Sequence, residues 1–190
     1  MCSGSTITMN KGTVFTTLVD NVTYQFINNA EISISPQDGV YKFSNVDLHE
    51  GTLVTHRYTV DSTDVDQRFM IPNLNADTST LKVVIQNSST DTSTSNYTLA
   101  SGLRSLDDTS KAYFLQETDT GKFEVYFGDG VLGKKLDDGN IVILEYIVSN
   151  KEEANGDLLF IISSIGGFTN VTITTNSSAQ GGAEPNQKNQ

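Results

Sequence analysis

Alternation of apolar and polar residues with a period of two dominates this chain and limits what it can fold into. The pattern occurs in Val22–Phe26 and again in Glu31–Ser35, where Pro36 then prevents further ladder pairing. Leu81–Ile85 and Val54–Val60 each place their apolar side chains on one face. No window of a dozen residues combines a 3.6-residue apolar period with good helix formers. The sequence predicts a mainly β fold of antiparallel, β-sandwich-like sheets, with long loops and little helix.

The second half of the chain contains the clearest hairpin. Ala112–Glu117 and Lys122–Phe127 are strand-like and are separated by a short polar turn, in which Gly121 supplies a positive φ. Ile141–Val148 is apolar on both faces except at Glu145, which predicts a centrally placed strand. Two further strands are predicted downstream, at Leu158–Ile162 and Val171–Thr175.

Composition divides the chain into three predicted parts. Residues 1–48 form a small N-terminal β unit, and residues 49–176 form the main β domain with the Phe-Gly-Asp-Gly hairpin region. Residues 177–190 have almost no apolar side chain and are predicted to be a flexible C-terminal tail. Within the main domain, the low-complexity run Ser88–Ser95 is predicted to be a mobile loop or a hairpin tip.

The chain is acidic, with a formal net charge of −11. This charge repels a phosphate backbone and opposes docking onto anionic lipid, so neither nucleic acid nor a membrane is a predicted partner. A basic protein surface would suit it. The single cysteine, Cys2, cannot form an internal disulfide. No apolar stretch approaches the roughly 18 residues of a membrane span, and no secretory signal is visible.

The sequence contains few residue patterns typical of catalysis or of metal binding. His49 and His56 are seven residues apart without a cysteine nearby, which does not match the spacing of zinc ligands. Asp61, Asp64 and Asp66 form an acidic cluster that lacks the Gly and the terminal Glu of a calcium-binding EF-hand loop, so a solvated loop is favoured. No metal and no cofactor are predicted.

The glycine-rich run from Gly128 to Gly133 is not a phosphate-binding loop, because no Lys-Ser/Thr follows in register and no helix is predicted after it. Its glycines permit sharp backbone geometry between strands, and Asp129 is expected to accept hydrogen bonds from nearby amides. Asp137 and Asp138, before Gly139, are interpreted as turn residues and not as an acid/base pair. No catalytic residue is predicted.

Taken together, three segments resemble a known family. Phe123–Gly133, continuing through Asp138-Gly139-Asn140 and Glu145-Tyr146 to Asn155-Gly156, is similar to the signature of the baseplate J-like superfamily. Val171–Thr174 followed by Ala179–Pro185 resembles that family's Gly-Gly-acid-Pro junction. Asp61-Ser62-Thr63 with Asp66–Pro72 resembles the large baseplate wedge protein of T-even-like and marine cyanophage myoviruses.

The resemblance covers roughly residues 12 to 185 and implies a non-enzymatic structural subunit of a contractile-tail baseplate wedge, located in the virion and assembled in the host cytoplasm. In that family the protein associates with itself and with other wedge proteins. The family also continues on both sides of the matched region, so the chain is expected to be a fragment or a split-gene product. The resemblance marks these structural-motif residues: Phe127, Gly128, Asp129, Gly130, Gly133, Gly139, Tyr146, Asn155, Gly156, Gly181 and Gly182.

Two other classes of function remain open. Ser/Thr-rich β domains also serve as carbohydrate-binding or adhesin-like modules, although the absence of Trp weakens this interpretation because sugar platforms favour stacked aromatics. A tail-associated wall hydrolase would need convergent acid and base groups in a cleft, and no strand pattern places a carboxylate pair in that way.

Overall fold

The computed structural model describes residues 5–102, 106–149 and 159–179. Within these ranges the chain forms twelve β-strands and no helix, which confirms the predicted mainly β fold. The strands are β1 (Ile7–Met9), β2 (Val14–Val19), β3 (Val22–Asn28), β4 (Ile32–Ile34), β5 (Leu48–Glu50), β6 (Thr52–Thr59), β7 (Phe69–Ile71), β8 (Ala76–Gln86), β9 (Thr94–Leu99), β10 (Ala112–Glu117), β11 (Phe123–Phe127) and β12 (Ile141–Val148).

The chain divides into two compact units. One, here called the discontinuous unit, is drawn from Met1–Leu53 and Val148–Gln190, and the other, the barrel unit, is Val54–Ile147. This division differs from the one predicted from composition: the boundary falls at 53/54 instead of 48/49, and the described residues between 159 and 176 belong with the N-terminal part. Most of the predicted tail, 180–190, lies outside the described residues, whereas Ala179 packs against the core of the discontinuous unit.

The barrel unit contains a seven-stranded sheet in the order β6-β12-β8-β9-β10-β11-β7. It includes the predicted hairpin, with Tyr113 opposite Phe127 and Glu117 opposite Phe123, and Gly121 in its turn has a φ of +76°. Most pairs with a known direction are antiparallel, but β9 and β10 run parallel, so the sheet is mixed. The run Ser88–Ser95 includes the tip of the β8–β9 hairpin, as predicted.

The seven-stranded sheet curls until its two outer strands nearly meet. Tyr58 on β6 donates a hydrogen bond from Oη to the carbonyl of Met70 on β7 at 2.5 Å. Inside lie the alternate side chains that period-two patterning predicts. The apolar residues of the barrel unit with the least exposure are Phe69, Ile71, Val83, Ile85, Ala112, Val125, Val142, Leu144, Tyr146 and Ile147.

β12 is an interior strand of the sheet, between β6 and β8, but it lies next to the outer strand β6 and not at the centre of the seven as predicted. Val142, Leu144 and Tyr146 are fully buried, whereas the intervening residues 141, 143 and 145 are half-buried. Thr80 on β8 accepts a hydrogen bond at its Oγ1 from the amide of Ile147 at 2.9 Å.

The discontinuous unit contains a three-stranded sheet, β2-β3-β5, and the separate pair β1–β4. The β2–β3 hairpin turns through Asp20 and Asn21, whose φ values of +48° and +65° suit a two-residue turn that matches strand twist. The core consists of a cluster of buried side chains to which a distant segment contributes. Its members are Met9, Phe15, Tyr24, Phe26 and Ile165.

The prediction of two downstream strands, at residues 158–162 and 171–175, is wrong for the described residues. In the first, Leu158 lies outside the described residues, and the described part forms one isolated bridge, Ile161 with Thr16. Residues 171–175 belong to no ladder, although Val171 and Ile173 are half-buried and alternate with exposed threonines. The alternation of apolar and polar residues in 171–175 reflects packing of Val171 and Ile173 on the core of the discontinuous unit, and not strand pairing.

Candidate functional site

The glycine-rich run forms a tight loop at one end of the barrel unit, here called the glycine loop (residues 128–135). It begins where β11 ends at Phe127, whose ring packs edge-on against Phe69 at 5.6 Å and Tyr97 at 5.5 Å. Gly130 donates a backbone hydrogen bond to Gly133 at 3.1 Å, which closes the loop. The loop is therefore anchored on an aromatic cluster inside the barrel.

Two different physical reasons require glycine here. Gly130 and Gly133 both have a φ of +92°, a conformation that crowds any Cβ atom. Gly128 has no positive φ, but a Cβ at this position would lie 2.3 Å from the carbonyl oxygen of Leu132 and 2.4 Å from that of Gly133. The sequence anticipated the first reason, and only the three-dimensional contact reveals the second.

The carboxylate of Asp129 fixes the loop tip. Its Oδ1 accepts hydrogen bonds from the backbone amides of Val131 at 2.9 Å and Leu132 at 3.0 Å, as expected from the sequence. These bonds, that from Leu132 first, hold the pKa of the Asp129 carboxyl below its usual range. The ionised carboxylate thus acts as a local cap on loop amides.

A second acidic turn supports the loop from the side. The amide of Gly133 donates to the carbonyl of Asp107 at 2.9 Å, and that of Lys134 donates to Ser110 at 2.8 Å. The Asp107 carboxylate accepts hydrogen bonds from Ser110 Oγ at 2.6 Å and from Thr109, and these bonds lower its pKa. Sequence reasoning missed this turn, although its Asp-x-Thr-Ser order is a signal for an aspartate-capped turn.

The predicted acidic cluster and the predicted Asp-Asp-Gly turn meet at the same end of the barrel. Ser62 donates its amide to Oδ1 of Asp138 at 2.9 Å, and Gly139 donates its own to the carbonyl of Val60 at 3.0 Å. Gly139 has a φ of +76°, and Asn140 closes the turn on Asp137 at 3.1 Å. Asp137 and Asp138 are turn residues, as interpreted from the sequence.

Two carboxylates of the acidic cluster, those of Asp61 and Asp64, accept hydrogen bonds within their own loop. Asp61 accepts hydrogen bonds from the hydroxyl and the amide of Thr63 at 2.6 and 2.9 Å, which hold its pKa below the usual range. Asp64 accepts a hydrogen bond from the amide of Asp66 at 3.2 Å. These contacts account for the residues as capped turns. Among the described residues, no three His, Cys, Asp or Glu side chains converge as metal ligands would.

These loops expose apolar side chains at the end of the barrel unit. Val131 is 71% exposed and Leu132 is 41% exposed at the tip of the glycine loop, and Val65 in the neighbouring acidic loop is 86% exposed. A small depression lined by both Val65 and Gly128 places the two loops side by side. We call these three residues the apolar tip. This end of the barrel unit therefore exposes three apolar side chains on two loops.

The remaining motif residues lie apart from the glycine loop. Tyr146 is fully buried on β12, where its ring stacks on His56 at 5.9 Å between centroids. His56, on β6, therefore packs against a buried tyrosine ring, and His49 lies on β5 of the discontinuous unit. Four further motif residues lie outside the described residues: Asn155, Gly156, Gly181 and Gly182.

One aromatic stack faces outward from the barrel unit. Phe114 and Tyr126 are cross-strand neighbours on β10 and β11, with centroids 5.0 Å apart and planes inclined by 18°. The guanidinium of Arg68 lies 4.0 Å from the centroid of Tyr126, and it also lies 4.0 Å from a carboxylate oxygen of Glu124. The Tyr126 ring is therefore already in contact with two side chains of this chain, Phe114 and Arg68.

Comparison with protein-family models finds no match, and comparison with curated proteins finds none either. Within the described residues, no helix has the length and hydropathy needed to cross a membrane.

Proposed function

We propose that this chain is a structural subunit of a contractile-tail baseplate wedge, which works by assembling with other wedge proteins and not by catalysis. The observation that carries the proposal is the apolar tip, in which Val131 and Leu132 are exposed on a loop whose tip amides donate hydrogen bonds to Asp129. The Phe-Gly-Asp-Gly resemblance supplies the kind of assembly. The proposal places the protein in the virion and includes self-association, as the resemblance implies.

The acidic groups whose pKa values are shifted are used as turn caps, which is consistent with the proposed structural role. A general acid needs a raised pKa, which burial or a neighbouring carboxylate would provide. Among the described residues, the carboxyl groups with shifted pKa values are all shifted down, by hydrogen bonds within their own loops: Asp61, Asp91, Asp107 and Asp129. These aspartates stay ionised and cap turns, which suits a rigid mechanical part.

The aromatic stack offers little to a carbohydrate-binding role. A sugar platform needs a ring face open to the ligand. The ring of Tyr126 stacks on the ring of Phe114 on the neighbouring strand, and the guanidinium of Arg68 lies over the Tyr126 ring. The apolar tip, in contrast, is open, and it suits a protein partner better than a sugar.

Co-purification tests the proposal. The chain is co-expressed with each tail protein encoded beside its gene, and complexes are detected by size-exclusion chromatography. We expect at least one stable complex, which the double substitution Val131→Asp with Leu132→Asp abolishes. Leu74→Asp, at a residue that is 59% exposed in the turn between β7 and β8, is the matched control and leaves the complex intact.

Two results would contradict the proposal. Failure of every neighbouring tail protein to form a complex would remove the baseplate assignment. Equal loss of the complex in the Leu74→Asp control would show that added charge, and not the apolar tip, is responsible.

A further inference from the structure

The end of the barrel unit that exposes the apolar tip also concentrates the negative charge of the chain. Residues 61–67 and residues 107–110 are each hydrogen-bonded there to residues 128–138. The three segments contain eight exposed aspartates, which we call the acidic rim: Asp61, Asp64, Asp66, Asp107, Asp108, Asp129, Asp137 and Asp138. Their cationic residues are Lys134 and Lys135. Eight negative and two positive charges give these segments a formal charge of −6, against −11 for all 190 residues.

The carboxylates of the acidic rim keep their charge at neutral pH. Hydrogen bonds within their own turns hold the pKa of Asp61, Asp107 and Asp129 below the usual range. The ammonium of Lys135 lowers the pKa of Asp129 as well, but within the described residues no member of the rim forms a salt bridge with a lysine or an arginine. Most of this charge is therefore not neutralised by cations of the described chain.

The apolar tip lies among these carboxylates. Val65 stands between two aspartates of the rim in the chain, and it is 86% exposed. Val131 and Leu132 donate their amides to Asp129 at 2.9 and 3.0 Å, so their exposed side chains lie beside its charge. Apolar groups that are exposed together and rimmed by polar residues are typical of surfaces that bind other proteins.

The charge of the rim decides between possible occupants. A second copy of this chain is acidic too, and like charges brought together across an interface are unfavourable. A nucleic acid or an anionic membrane is repelled for the same reason. A protein surface in which lysines and arginines surround an apolar patch is complementary to both the tip and the rim.

We propose that the apolar tip and the acidic rim together dock on a basic protein surface of this kind. The inference rests on the proposed function, because the same apolar tip makes the contact, and it adds the chemistry of the partner. The apolar side chains supply the buried contact, whereas the carboxylates attract basic partners over a longer distance and select against acidic ones.

Titration of the whole, isotope-labelled chain with peptides, followed by NMR, tests the chemistry of the surface. The probes are three synthetic peptides of equal length, which alternate Lys with Leu, Lys with Ser, and Glu with Leu. At about 0.1 M salt we expect the Lys-Leu peptide to shift amide resonances of residues 61–67, 107–110 and 128–138. The Lys-Ser peptide should bind at least tenfold more weakly, and the Glu-Leu peptide should not bind. Raising the salt to about 1 M shortens the Debye length from ~10 Å to ~3 Å and should weaken binding of the Lys-Leu peptide at least tenfold.

A triple variant tests the rim without disturbing its turns. The side chains of Asp66, Asp108 and Asp137 form no hydrogen bond within the described residues, so changing all three to Asn removes charge and leaves the turn caps in place. We expect this variant to bind the Lys-Leu peptide at least fivefold more weakly and with a smaller dependence on salt. An unchanged melting temperature verifies that it is folded.

The matched control removes the same number of charges outside the three segments. Asp20→Asn, Asp38→Asn and Asp119→Asn change exposed aspartates in other turns, and Asn tolerates the positive φ of the first two. We expect this control to bind the peptide as the unmodified chain does. An equal loss of binding in the control would show that the overall charge of the chain, and not the rim, attracts the peptide.

Two further peptide results would overturn the inference. Equal binding of the Lys-Leu and Glu-Leu peptides would show that the contact does not depend on charge. Resonance shifts confined to other parts of the chain would place the basic contact elsewhere. A dimer detected by sedimentation, and strengthened by salt, would indicate that a second copy occupies this end of the barrel unit.

The complex sought by co-purification distinguishes failure of this inference from failure of the proposed function. A complex that is lost in the Val131→Asp, Leu132→Asp variant but survives both about 1 M salt and the triple variant would show a partner that is not basic, while assembly through the apolar tip would stand. If no tail protein forms a complex, the baseplate assignment is removed, and selective binding of the Lys-Leu peptide at the three segments would still support a basic partner.

Discussion

At the scale of single residues, two tyrosines of the barrel unit differ in whether their hydroxyl group forms a hydrogen bond. Tyr146 Oη is buried without a hydrogen-bond partner among the described residues, whereas Tyr58 Oη donates to Met70 at 2.5 Å. Burial raises the pKa of both side chains. An unpaired buried hydroxyl costs about 1–3 kcal/mol, and a paired one contributes about 1 kcal/mol.

The same substitution should therefore change stability in opposite directions at these two positions. We expect Tyr146→Phe to raise the free energy of unfolding by up to about 1 kcal/mol, and Tyr58→Phe to lower it by about 1 kcal/mol. Urea denaturation followed by circular dichroism measures both. Equal losses in the two variants would show that Tyr146 has a partner that the described residues do not include.

Two glycines allow the cost of steric crowding to be distinguished from the cost of an unfavourable backbone conformation. In Gly128→Ala the new methyl group meets backbone atoms at 2.3–2.4 Å, which no rotamer change can relieve. In Gly139→Ala nothing lies within 4 Å, and the cost comes from the φ of +76° alone. We expect a loss of about 1 kcal/mol for Gly139→Ala. Gly128→Ala should lose more, toward the upper end of the 1–3 kcal/mol typical of overpacking.

A further substitution distinguishes the two causes. Asparagine tolerates a positive φ better than alanine does. Gly139→Asn should therefore recover part of the loss, whereas Gly128→Asn should not. Thermal unfolding of the four variants measures this difference, and recovery at position 128 would disprove the crowding explanation.

At the scale of elements, the acidic turns link the stability of the barrel end to pH. Hydrogen bonds lower the pKa of Asp107 and Asp129 relative to the unfolded chain. Their contribution is complete above the unfolded pKa, about 3.9, and is lost as pH falls through the lower folded value. We expect the melting temperature to drop between pH 5 and pH 3, and to drop less in Asp107→Asn. Asp108→Asn makes the same charge change one residue later and should keep the full drop.

Comparison of individual strands shows which features of the fold the sequence could predict. The hairpin of β10 and β11 was predicted because its information is local: two alternating runs and a glycine with a φ of +76° in the turn. Residues 171–175 carry the same alternation yet form no ladder, because a period of two reports which side chains face a core and not whether the backbone is paired. The parallel pairing of Ala112 with Thr98 was likewise not predictable from local pattern.

In the candidate site too, features that depend on nearby residues were predictable from the sequence, and features that depend on distant residues were not. The sequence predicted sharp backbone geometry at the glycines of the loop and amide hydrogen bonds to Asp129, since both depend on neighbours in the chain. It did not predict the support from Asp107 to Gly133, which are far apart in sequence. Nor did it predict that Val65 and Val131 would be exposed, because apolar residues in turn-rich segments are ambiguous until the fold places them.

At the scale of the whole molecule, the two units differ in how the chain builds them. The barrel unit is one continuous stretch, Val54–Ile147, and its first and last strands, β6 and β12, are neighbours in the sheet. The discontinuous unit needs two stretches, because Phe160 packs on Phe26 at 5.0 Å and Ile165 belongs to the same core cluster. Loss of the second stretch would leave part of that core exposed to water.

Excised segments should therefore fold unequally. We expect residues 52–149, which contain β6 to β12 complete, to unfold cooperatively in urea as a single transition, because their sheet and core are continuous in sequence. Residues 1–53 contain β1 to β5 but lack Phe160 and Ile165, so we expect no cooperative transition from them. Circular dichroism and denaturation by urea measure both. An unfolded 52–149 segment would show that the barrel core depends on chain outside its own strands, and a cooperative 1–53 segment would show that the second stretch is dispensable for the core.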